Sequence, residues 1–205
     1  MNFRPLSLGL PLVLGLPLLL TGCSTLSNFS WSSLSPFNWF GSSLEVTDEG
    51  VGGINAGTPL SEGALQNALD GSYQLRSGMG TSNGQLVAFY QALDGKEVKM
   101  VISGQPKGSV RKVEVMDPAI GSAGGVKIGD AFSNTYSKAF ESCQLGQGDD
   151  AQGVECAAPQ STHISYVYSG EWSGPEGLMP PDDILKNWKV SKIVWHAQAR
   201  NTSVL

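Results

Sequence analysis

The stretch Ser82-Asn83-Gly84-Gln85-Leu86-Val87-Ala88-Phe89-Tyr90-Gln91-Ala92-Leu93-Asp94-Gly95-Lys96-Glu97-Val98-Lys99-Met100-Val101-Ile102-Ser103 decides the fold. Asn-Gly and Asp-Gly supply the positive φ that tight hairpin turns demand. Each dipeptide leads into a strand-like run: Gln85 to Ala92 after the first, Lys96 to Ser103 after the second. Val98, Met100 and Ile102 alternate along one face, the mark of a half-buried strand. Working outward, Ser72 to Met79 forms a strand before the first turn. Val110, Val113 and Val115 lie in another, which ends at Asp117-Pro118. These runs and turns predict an antiparallel meander.

A helix is expected ahead of the meander. Thr58 is placed as its N-cap and Pro59 in its first turn, where a missing N–H costs nothing. Leu60, Ala64, Leu65, Ala68 and Leu69 share a face, and Gly71 stops the helix. A second helical stretch is expected from Ala131 to Glu141, followed by strands over His163–Tyr168 and Lys189–Trp195. In the last strand the pattern fits two choices: Val190, Lys192 and Val194 face the core, or Ser191, Ile193 and Trp195 do. Pro180, Pro181, Asp182 and Asp183 open a short helix, with carboxylates at its positive end. The predicted class is therefore α+β, a mainly antiparallel sheet with two principal helices. Gly124 to Asp130 before the second helix echoes Gly50 to Ile54 before the first. Val190 to Trp195 likewise echoes Val110 to Val115. Offsets of roughly 70 to 80 residues suggest an internal duplication of an α-then-β unit.

The chain begins with a leader. An apolar run from Leu6 to Leu20 follows the single charge Arg4 and closes on Leu20-Thr21-Gly22-Cys23. This is the layout of a signal peptide over residues 1–22. A cysteine at the first mature position marks a bacterial lipoprotein, so Cys23 is the expected lipidation site. The run is too short, and too broken by Pro11, Pro17, Gly9 and Gly15, for a membrane span. Ser24 is not the Asp that retains lipoproteins in the inner membrane. The expected location is the outer membrane, lipid-anchored and facing the periplasm. Residues 23–43 read as a Ser-rich tether, uncharged but carrying Trp31, Trp39 and Phe40. Those aromatics suit either a membrane–water boundary or packing against protein. Residues 44–196 read as one periplasmic domain, and 197–205 as a disordered tail.

The composition narrows the partners. With 13 basic and 18 acidic residues the formal net charge is −5. An acidic chain without a Lys/Arg cluster argues against nucleic acid. In an oxidising compartment Cys143 and Cys156 are expected to form a disulfide that closes the loop Gln144 to Glu155. Their spacing excludes a CxxC redox pair. A metal site would need His163 and His196 to join the thiols, so none is expected, and nothing points to a cofactor.

Catalytic signals are poor. There is no G-x-S-x-G elbow, P-loop or H-E-x-x-H. The one hydrolase-like reading uses His163 with Ser165 and Glu171, while His196 is placed at the surface. Gly50 to Gly53 and Gly121 to Gly125 read as turns, and Asp149 and Asp150 as part of a solvated loop. Ser169 to Pro181 is unusual for a simple connection, because Trp172, Leu178 and Met179 sit among rigid turns. An apolar anchor with polar surroundings suits a binding hot spot. The candidate partner-binding residues are Trp31, Trp39, Phe40, Trp172, Leu178 and Met179. The expected function is non-enzymatic binding of another envelope component. An envelope enzyme using His163 and a small-ligand carrier are the alternatives.

Several runs carry a family resemblance. They are Asn38 to Ser43, Gly125 to Gly129, Tyr136 to Phe140, Gly170 to Pro180 and Leu185 to Ile193. In this order, behind the lipobox, they resemble the RpoE (sigma-E)-regulated lipoproteins of enteric bacteria, the YfeY type. The resemblance implies an outer-membrane lipoprotein made under the envelope stress response. It implies no reaction, because the family is a domain of unknown function with no catalytic residues to carry over.

Overall fold

The structure is a computed structural model that describes residues 44–82, 84–175 and 177–200. Its main feature is an eight-stranded sheet in the order β4-β5-β6-β7-β12-β11-β10-β9. The strands are β4 (Gln74–Ser82), β5 (Gln85–Asp94), β6 (Glu97–Gly104), β7 (Val110–Val115), β9 (Cys143–Leu145), β10 (Val154–Ala157), β11 (Ile164–Ser169) and β12 (Lys189–His196). Every neighbouring pair is antiparallel. A smaller sheet joins β1 (Glu45–Val46), β2 (Gly50–Val51), β3 (Ile54–Asn55) and β8 (Gly121–Ser122), with β1 and β8 parallel. Among the described residues there are three short α-helices, α1 (Glu62–Ala68), α2 (Phe132–Thr135) and α3 (Asp182–Leu185), and a 3-10 turn at Gly148–Asp150.

Register explains the core. Ala92 lies opposite Met100, Met100 opposite Val115, Val115 opposite Ile193, and Ile193 opposite Tyr166. One row further along, Ile102, Val113, Trp195 and Ile164 face one another in turn. Because alternate residues share a face, these rows form one apolar surface. Leu65 of α1, Phe132 of α2, Leu185 of α3 and Val46, Val51 and Ile54 of the small sheet pack into the same buried cluster. The choice open in the last strand resolves toward Ile193 and Trp195. Val190 joins them because the register of β12 slips between Val167 and Tyr168 of its neighbour.

The meander matches the turn-based reading, but the helices are shorter than expected. α1 starts at Glu62 rather than at Thr58. Thr58 and Leu60 are instead held against the start of β7: Val110 N donates to the Thr58 carbonyl and Leu60 N to that of Gly108. At the other end Gly71, with φ 66°, donates to the Gln66 carbonyl and closes the helix at the expected glycine. The stretch Ala131 to Glu141 keeps only the four residues of α2. Phe132 N is taken by the Trp188 carbonyl, and Ala139 N by the Asp182 carboxylate. Tyr136 is extended, so that its ring packs with those of Phe132 and Tyr168. Tertiary partners outbid a weak local helical preference. Two principal helices are thus replaced by three short ones.

Cys143 and Cys156 lie directly opposite each other on β9 and β10 and are disulfide-bonded, with 13 residues of sequence separation. Replacing both by serine is expected to lower stability by about 3 kcal/mol in the chain-entropy model. Urea unfolding should show this as a lower midpoint with the bridge removed. An unchanged midpoint would mean that β9 contributes nothing to the unfolding unit.

Beyond β12 the chain stays hydrogen-bonded: Ala197 N donates to the Arg111 carbonyl and Arg200 N to that of Thr162. The leader 1–22, Cys23, the tether with Trp31, Trp39 and Phe40, and residues 201–205 lie outside the described residues. No described helix is long and apolar enough to cross a membrane.

Candidate functional site

Residues 170–175 and 177–180, between β11 and α3, contribute one wall of a groove of about 320 Å³. Trp172 and Leu178 line it from this segment, and Leu145 and Gly153 line it from the disulfide loop. Trp188 is also part of the lining and is almost fully buried. Trp172 is 36% exposed and Leu178 57% exposed. Met179 is not part of that surface, because it packs against the core. The structure therefore brings together two of the three predicted residues available to it.

Glycines shape this groove. A Cβ on Gly170 would stand 2.3 Å from the Trp188 ring, and one on Gly174 would stand 1.9 Å from the Trp172 ring. Both indoles lie flush on backbone that no other residue could provide. The Trp188 Nε1 is buried with no hydrogen-bond partner among the described residues. A buried donor left unpaired is costly. The exposed lining of the groove is more polar than apolar, and its volume lies at the small end of ligand sites. Trp188 was missing from the sequence-based candidates. Its place directly after the α3 segment was the available signal.

A second cavity, of about 430 Å³, lies beside the β1–β2 turn. Asp48, Glu49, Ser161 and Tyr166 contribute polar atoms to its lining. Ser161 donates to the Asp48 carboxylate, and the Tyr166 hydroxyl is 2.9 Å from that of Ser122.

The histidines do not assemble as the hydrolase-like reading required. His163 Nδ1 is 2.8 Å from the His196 carbonyl. Ser165 meets His196 instead, with its Oγ 3.1 Å from Nε2. Its hydroxyl donates to Glu155 at 2.6 Å, and the same Glu155 oxygen is 3.5 Å from His196 Nε2. Serine and carboxylate thus meet the same ring nitrogen. A triad places them at opposite nitrogens, so that the acid orients the base. Ser165 is also fully buried on the sheet face opposite the core. The arrangement is suited to holding β10, β11 and β12 together, with Arg200 Nη2 adding a contact to Glu155 at 3.5 Å. Burial pushes the Glu155 carboxyl up. Hydrogen bonds from His196 and Ser165 and the Arg200 charge outweigh it and hold the group at about 2. Among the described residues no three His, Cys, Asp or Glu side chains converge to hold a metal ion.

These features define a disulfide-pinned α+β protein with an aromatic groove at one edge of its large sheet. The chain belongs to the family described as Protein of unknown function (DUF1131), which it matches over residues 28–197. It is 56% identical over 177 residues to the uncharacterized protein YfeY of Escherichia coli (strain K12), covering 86% of this chain and 92% of that one. The crystal structure of the uncharacterized protein yfeY from Escherichia coli is similar in fold. Its TM-score is 0.69 at 53% sequence identity, covering 74% of this chain and 99% of that one.

Proposed function

We propose that this protein is a lipoprotein anchored through Cys23 in the outer membrane and facing the periplasm. It is made under the sigma-E envelope stress response, as the family resemblance implies. It acts without catalysis, by holding another envelope component against the Trp172–Leu178 groove. The carrying observation is that two large apolar side chains, Trp172 and Leu178, stand exposed in a groove that the nearly buried Trp188 also lines. The cavity beside Asp48 and Tyr166 favours a small-ligand carrier as a second reading.

The strand order supports an internal duplication. Each half runs from a helix through four strands, and the last strand of each, β7 and β12, meet in mid-sheet. Val113 pairs with Trp195 and Val115 with Ile193. This is the symmetric register expected if Val113 corresponds to Ile193 and Val115 to Trp195.

A photo-crosslinking residue at Trp172 in growing cells tests the binding reading. One envelope component should be captured there, should be missing from a probe at exposed Glu62, and should be lost on Leu178→Glu. Equal capture at both positions would dismiss the groove. In parallel, Cys23→Ala should leave an unprocessed precursor without palmitate label. Equal labelling of both proteins would remove the anchor.

A further inference from the structure

The two edges of the large sheet are unlike. β9 is three residues long and clamped by the disulfide. β4 is nine residues long and pairs with β5 in unbroken register from Gln74–Leu93 to Ser82–Gln85. Natural edge strands are protected by shortness, bulges, proline or lysine. β4 contains no proline and no bulge, and Arg76 near its start is its one charged residue. No charged residue occurs between Arg76 and Asp94. Met79 and Leu86, on one face of this hairpin, are each 57% exposed. Among the described residues no backbone group pairs with the outer side of β4.

The unpaired groups can be assigned. A two-residue turn closes on a hydrogen-bonded pair, here Ser82 and Gln85. Counting back along the ladder, Gly80, Gly78, Arg76 and Gln74 also bond to β5. Thr81, Ser77 and Leu75, with Met79 between them, therefore turn their N–H and C=O outward. A Cβ on Gly78 would stand 2.3 Å from the Phe89 ring, which leaves the middle of the edge smooth.

The geometry points to β4 as a pairing edge that joins two copies of this chain, antiparallel and centred on Gly78. In that register Ser77 faces Met79 of the second copy and Leu75 faces Thr81. All the outward groups meet partners, for about eight hydrogen bonds. Arg76 faces Gly80 of the second copy, so no like charges oppose. The two Phe89 rings come side by side over the paired glycines. A strand of this length spans only about 30 Å. Edge pairing alone buries less than the roughly 800 Å² per partner of a stable complex. The pair is therefore reversible, and trapping reads it better than bulk mass.

Two differently tagged full-length copies, one Ser77→Cys and one Met79→Cys, would be produced together and oxidised in intact cells with copper phenanthroline. The mixed disulfide should exceed that of Ser77→Cys with Glu62→Cys by about tenfold, because only facing strand positions bring the thiols within reach. Thr81→Pro, which removes an outward N–H and spares the ladder to β5, should cut the mixed product several-fold, to about the control level. A mixed product no stronger than the control overturns the proposal. So does crosslinking of both cysteines to a protein of different mass, which would make the edge a site for a foreign strand. The cysteine pair in the otherwise native chain decides the matter even where Thr81→Pro misfolds.

Discussion

Trp195→Ala is expected to lower the free energy of unfolding by about 4 kcal/mol. Trp195 is 1% exposed and lies in a central strand, opposite Val113 on β7 and Ile164 on β11. Its Nε1 donates to the Asp48 carbonyl at 3.0 Å, which ties the large sheet to the β1–β2 turn. Truncation removes the apolar contacts, opens a cavity at the junction of both sheets and orphans that carbonyl. The half-exposed Trp172 provides the contrast, because surface substitutions usually stay within about 0.5 kcal/mol. Urea midpoints of the two variants should separate stability from binding: Trp195→Ala falls sharply, whereas Trp172→Ala keeps its midpoint and loses capture. A cost below about 1 kcal/mol for Trp195→Ala would mean that the core closes over the vacancy, against the usual behaviour of packed interiors.

The second large effect appears in acid. Glu155 is held at about 2 in the folded protein against 4.5 for the free group. Between those values the unfolded chain binds a proton that the folded chain does not, so stability rises with pH across that window. The contribution is complete above about pH 4.5 and is lost as pH falls through about 2. Its size is on the order of 3 kcal/mol. Glu155→Gln should therefore be much less stable than the parent at neutral pH and nearly equal to it at pH about 2. Stability measured by urea at a series of pH values would show the two curves converging. Parallel curves would assign the acid sensitivity to other carboxylates.

The N-terminal half was legible because its turns are encoded locally. Asp94-Gly95 and Gly84 each provide the conformation their hairpin needs, with Gly95 at φ 60° and Gly84 at φ 73°. No distant residue is needed to read them. The second half depends on distant contacts. The residues after α2 contain enough Ala, Lys and Ser to resemble a helix, yet the Asp182 carboxylate takes the Ala139 N–H and the chain there is irregular. The Gly, Gln and Asp residues between the cysteines look like a solvated loop and hide β9 and β10. Only the strand beside them shows that Val154 and Cys156 face inward. The groove was half visible. Trp172 and Leu178 stand out in a turn-rich segment. That Met179 points away, and that Trp188 returns to line the site, depends on how α3 reverses the chain. Likewise Ser165 was noticed, but its partners Glu155 and His196 are neighbours only across strands.

Among the described residues the strand latest in the chain, β12, lies in the middle of the large sheet. Until Lys189–His196 has been synthesised, β7 and β11 have no strand between them, and the large sheet exists as two separate meanders. Each meander can form early from neighbours close in the chain. Joining them requires closure of the long intervening segment, and such nonlocal steps are slow. A nascent or truncated chain therefore presents two open inner edges and has no assembled hydrophobic interior. Premature folding is discouraged by topology alone, and loss of the final residues should leave two sticky halves rather than a smaller stable protein.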